Sequence, residues 1–133
     1  MTSPIRRRVL AFAALVEIGT GLALLADPSF IVQLLVGEQA IGVATLLGRC
    51  FGIALLALGI ACCPRGQQVS SASAPLRGMA AYNALVALYL AYLGVVTHMG
   101  GVLLWLAVVL HAVVALLLLW PVPGESRGQS ARG

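Results

Sequence analysis

The stretch RRRVLAFAALVEIGTGLALLADP, residues 6–28, decides how this chain is read. Three arginines lead into an apolar run from Val9 to Ala26, interrupted only by Glu17, and the run stops at Asp27-Pro28. Such a run approaches the length of about 20 residues that crosses a hydrocarbon core of about 30 Å. An arginine-led apolar start also suits a secretory signal peptide. However, Glu17 lies in the middle of the would-be hydrophobic region and no A-x-A step follows before Asp27, so a retained span is expected.

Three more apolar segments follow, at about 41–63, 79–96 and 100–120. The composition agrees. Of 133 residues, 61% are hydrophobic and only 9% charged, with a mean hydropathy of +1.03, whereas a soluble domain carries about 25% charged residues. Residues 1–121 are therefore expected to form one all-α domain, an integral membrane four-helix bundle, with 122–133 as a flexible cytoplasmic tail rich in Gly, Ser, Gln and Arg.

The charges set the expected orientation. The net charge of +4 comes from arginines alone, without any lysine. They stand in short groups between apolar runs: Arg6, Arg7 and Arg8, then Arg65 and Arg77, then Arg127 and Arg132. The other two links carry none, and the first holds Asp27 and Glu38. By the positive-inside rule both termini face the cytoplasm, and the same distribution excludes a nucleic-acid-binding face. The all-arginine, Ala/Leu/Val/Gly-rich usage is that of a GC-rich bacterial genome, which points to the bacterial cytoplasmic (inner) membrane.

The links also have form. Asp27 followed by Pro28 is a helix start, a capping carboxylate ahead of a proline at the first helical position. Phe30, Ile31, Leu34 and Leu35 then share a side, so a short amphipathic helix is expected on the outer membrane surface, its apolar side in lipid. Pro64 to Pro75 reads as a flexible cytoplasmic loop. The link from Thr97 to Gly101 is so short that the last two spans must be an antiparallel hairpin.

Each span carries one strongly polar residue: Glu17, Arg49, Asn83 and His111. Ionisable groups at depth are costly, so they face the bundle interior and find partners. At about 1.5 Å per residue, Glu17 and His111 fall near the midplane, Arg49 nearer the outer boundary and Asn83 nearer the inner one. A Glu17–Arg49 pair is the first expectation, Glu17 with His111 the competing one, and a cluster of all three a third. Such a cluster serves either helix packing alone or a ligand or proton site.

The remaining signals concern packing. Ala14, Glu17 and Gly21 form one stripe of the first span, and Gly48, Gly52 and Gly59 line one face of the second, so these two spans are expected to pack closely. Tyr82, Tyr89 and Tyr92 lie along one side of the third span, where they would either anchor it or line a cleft for a quinone or lipid. Trp120 and Trp105 suit the two aromatic belts. Cys50, Cys62 and Cys63 lack metal-ligand or redox spacing and read as small apolar fillers.

The order of features resembles the DoxX-like group of small four-helix bacterial membrane proteins. The likeness rests on the Arg-led first span with Gly19 and Gly21 near its end, the Asp27-Pro28 step with the apolar surface segment through Leu35, and Arg49-Cys50-Phe51-Gly52 running into Leu56-Ala57-Leu58-Gly59. It implies a membrane bundle and, for some members, a subunit of a redox system. Val16-Glu17-Ile18-Gly19-Thr20 is similar to the first-helix segment of small multidrug resistance transporters, which implies proton exchange at Glu17. A matching aromatic pattern in the third span is missing, and Arg49 and His111 would repel a cationic substrate.

The expected function is thus a structural or ligand-binding membrane module or subunit, taking a lipid or quinone, with a second copy or a membrane complex as further partners. The alternative is a proton-coupled small-molecule transporter titrating at Glu17. No nucleophile is paired with a base, so an enzyme is not expected, nor is a metal or a resident cofactor.

Overall fold

A computed structural model describes residues 4–64 and 73–120, and these form five helices. They are α1 (Pro4–Ala26), α2 (Pro28–Val36), α3 (Val43–Cys62), α4 (Ala74–Val96) and α5 (Leu104–Leu119). No strand occurs among the described residues. The polar link over residues 65–72 and the tail over 121–133 lie outside them.

Three helices, α1, α3 and α4, are long and apolar enough to cross a membrane, while α5 has 16 residues. The boundaries correct the expected spans. Helix α1 starts at Pro4 rather than residue 9, so Arg6, Arg7 and Arg8 are helical. Helix α3 covers 43–62 rather than 41–63, and α4 starts at Ala74, five residues before 79. Helix α5 occupies 104–119 rather than 100–120, because the 97–103 link extends further than its glycines suggest. At α1 and α4 the helical hydrogen bonding continues past the lipid-compatible stretch into polar residues.

The helices associate in two antiparallel pairs. Helix α1 packs on α3 through small residues. A Cβ on Gly21 would stand 2.7 Å from the Gly52 carbonyl oxygen, and one on Gly59 would stand 2.7 Å from that of Ala14. The two backbones therefore touch, as the small-residue stripes require. Gly48 departs from that expectation, since it meets the ring of Pro28 instead of α1. Helix α4 packs on α5 in the same way at one end, where Gly94 admits the side chains of Leu104 and Trp105.

The two pairs join firmly at one end only. There Leu10, Ala13, Ala14, Cys62, Leu76, Met79, Ala80, Val114 and Leu118 form a buried cluster. Two polar contacts close the same end. Arg6 Nη2 donates to the Trp120 carbonyl oxygen (2.6 Å), and Cys62 Sγ donates to the Pro75 carbonyl oxygen (3.5 Å). Arg6 is 5% exposed, so besides its role in the charge pattern it caps the C-terminus of α5, where carbonyls lack helical partners.

At the opposite end α2 bridges the pairs. Asp27 Oδ1 accepts from the Phe30 backbone N–H (3.0 Å), and Pro28 occupies the first turn, as the sequence indicates. The helix ends at Gly37 with φ +84, a left-handed cap that glycine adopts without strain. Its last carbonyls are then claimed from the other pair: Gly101 N–H donates to Leu35 (2.9 Å) and Leu103 N–H to Leu34 (2.9 Å). This approach explains Gly101, whose Cβ would collide with the carbonyl oxygens of Leu34 and Gln33.

Candidate functional site

Between the closed end and α2 the two pairs part, leaving a cleft of about 770 Å³ to which all five helices contribute. This lies in the range of about 300–1,000 Å³ common for small-molecule sites. Its walls are almost wholly apolar, and it is partly open, with the exposed side chains Phe51, Tyr89 and Leu106 among those lining it.

The role of α2 differs from the expected one. Ile31, Leu34 and Leu35 line the cleft, and only Phe30 of that apolar side stands well exposed, at 55%. The spacing that suits a lipid surface equally suits a neighbouring protein surface, and the two backbone bonds from the 97–103 link turn α2 inward. It forms the cleft's roof.

Polar groups gather at the opposite end of the cleft, where Glu17, Tyr82 and His111 all line it. Glu17 is 2% exposed, on the α1 stripe that faces the bundle interior. The Tyr82 hydroxyl lies against its carboxyl group and shares a hydrogen bond with it. The Tyr82 ring meets the His111 imidazole edge-to-face, with centroids 6.0 Å apart and planes at 81°. Tyr82 also packs against the buried cluster, so the polar floor rests on the best-packed part of the molecule.

Asn83 stands behind His111. It is 2% exposed, and its Nδ2 donates to the Met79 carbonyl oxygen (2.9 Å). That bond fixes the amide so that Oδ1 faces His111 Nδ1 at 2.8 Å. An amide oxygen only accepts, so Nδ1 carries the proton and Nε2 holds the ring's lone pair when the imidazole is neutral.

Arg49 does not join this group. It is exposed on α3, and among the described residues no ion pair links it to Glu17. The register of the α1–α3 pair is the reason. Gly21 meets Gly52 and Leu56, and Gly59 meets Ala14 and Ile18, which sets Glu17 level with the turn near Leu58 and Gly59. Arg49 is then roughly 14 Å further toward the α2 end at 1.5 Å per residue. The expected Glu17–Arg49 pair is therefore corrected to a Glu17–Tyr82–His111–Asn83 chain.

The tyrosine stripe divides. Tyr82 belongs to the polar floor, Tyr89 lines the cleft while 62% exposed, and Tyr92 is 52% exposed and lies outside it. Thr20 is a lining residue that sequence reasoning missed. Its position one turn above Glu17 on the same stripe was the available signal. Cys62 is buried as expected of a small filler, whereas Cys50 and Cys63 are exposed.

Comparison with family models, curated proteins and solved structures finds no match to this chain.

Proposed function

We propose that this protein is a multi-pass membrane protein that holds a lipophilic small molecule, a lipid or quinone, in the cleft between its two helix pairs. The observation behind this reading is the cleft itself, with apolar walls and a floor of Glu17, Tyr82 and His111. Hydrocarbon walls suit a tail or ring, and the few convergent polar groups suit a single head group.

Four helices cross the bilayer in this proposal. At about 24 Å, α5 is short for a core of about 30 Å, a mismatch that local thinning accommodates. The arginine bias puts the Arg6 end of the bundle at the cytoplasmic face of a bacterial inner membrane, so the cleft opens within the outer half. Membership of the DoxX-like group is part of the same proposal, supported by the motifs around Asp27-Pro28 and Arg49.

A second reading, proton-coupled transport of a small molecule, draws on one observation: the acid Glu17 is buried yet lines an open cleft. Gentle extraction into native lipid particles, followed by native mass spectrometry, separates the two. The binding reading expects a retained lipophilic molecule that is lost in Tyr82→Ala, and a protein bare under these conditions would sink it. The transport reading expects proton-driven flux in vesicles that Glu17→Gln abolishes. Flux unchanged by that substitution would remove it.

A further inference from the structure

We infer that the molecule held in the cleft is headed by a hydroxyl group, which donates its hydrogen to His111 Nε2 on the polar floor of the cleft. This rests on the proposed function and narrows its ligand class to a hydroxyl-headed lipid or the reduced, quinol form of a quinone.

The argument starts from Asn83. Its Nδ2 is committed to the Met79 carbonyl, so its Oδ1 must accept, and His111 Nδ1 must donate. A neutral imidazole has one hydrogen, and it is spent there. The other nitrogen, Nε2, is bonded by no group among the described residues, while the ring lines the cleft. An acceptor in an apolar wall costs free energy until a donor reaches it. The Glu17 carboxyl lines the same floor.

The available donors on the protein side are few. The Tyr82 hydroxyl is engaged with Glu17, and among the described residues no arginine or lysine lines the cleft. A phosphate head would face Glu17 without a cation from the described lining, and a head bearing only carbonyl or ether oxygens would leave His111 Nε2 without a donor. A hydroxyl satisfies the floor, since it donates to Nε2 and its oxygen can still accept.

Matched probes test this on the full-length protein in lipid nanodiscs. 4-Dodecylphenol and its methyl ether share shape and tail but differ in the donor, as do dodecanol and its methyl ether. We expect at least one hydroxyl compound to bind about tenfold more tightly than its ether, the scale of one strong buried hydrogen bond. The ratio should fall toward one in His111→Phe while ether binding persists. Discrimination in the phenol pair alone indicates an aromatic head, and in both pairs a general hydroxyl head. Equal binding of hydroxyl and ether by the wild-type protein would overturn the hydroxyl assignment and leave the cleft reading standing. Binding of none of the four would overturn both. The wild-type comparison decides the matter even if the His111 variant fails to fold.

Discussion

At the scale of single residues, Asn83 is the pivot of the site. It is almost fully buried and joins α4 to α5 through His111, while its amide is pinned by its own helix at Met79. Interhelical hydrogen bonds in membranes contribute about 0.6 kcal/mol on average and up to about 1.7, because unfolded segments also find partners. Asn83→Leu is therefore expected to lower stability in detergent by about 1 kcal/mol. His111→Leu in that background should cost less than it does alone, by about the energy of the bond. The double-mutant cycle reads this coupling directly, and strictly additive losses would mean that the two side chains do not meet. Arg6 makes the opposite point about single residues. In the sequence it is one of three charges that orient the chain, yet its guanidinium reaches a carbonyl at residue 120. A charge count sees the first role, and nothing local announces the second.

At the scale of helices, the α1–α3 pair was legible and its register was not. Ala14 and Gly21 against Gly52 and Gly59 repeat at helical spacing, and close backbone approach follows from residues that lack side-chain bulk. The offset between the two helices is set by which small residue meets which, and that is a property of the pair. Depths counted from each span's own end cannot supply it, hence the misplaced Glu17–Arg49 contact. Depth counted from the span ends brings Glu17 and His111 to one level, and both residues line the one cleft. Two glycines on α1 now separate packing from propensity. A Cβ at Gly21 would lie 2.7 Å from the Gly52 oxygen and 2.9 Å from the Leu56 nitrogen, both backbone atoms that cannot swing aside. One at Gly19 meets nothing within 4 Å. Gly21→Ala should thus destabilise by about 1–3 kcal/mol through overpacking. Gly19→Ala should be neutral or stabilising by up to about 1 kcal/mol, from helix propensity alone. Thermal unfolding of the two variants side by side checks this, and equal behaviour would show that α1 and α3 are not in backbone contact.

At the scale of the molecule, the bundle is built unequally along its length. One end is filled by a cluster from α1, α3, α4 and α5 and closed by Arg6, while the other is spanned by α2, which two backbone hydrogen bonds tie to the 97–103 link. An apolar cavity of this size forfeits dispersion contacts on its walls, a cost that packing at the closed end must offset. The inequality yields a contrast between leucines. Leu118 is 1% exposed within the buried cluster, whereas Leu93 lines the cleft. Truncating Leu118 to Ala opens a new void among fixed neighbours and should cost about 2–5 kcal/mol. Truncating Leu93 enlarges space that already exists and should cost well under half as much. The order should reverse for binding: Leu93→Ala weakens retention of a dodecyl probe, while Leu118→Ala, measured where it remains folded, leaves it near wild type. Unfolding midpoints with and without the probe give both quantities from one experiment. Similar stability losses at the two sites would mean that the α2 end is packed as tightly as the Arg6 end, and a cleft built to receive a ligand would have no place in the fold.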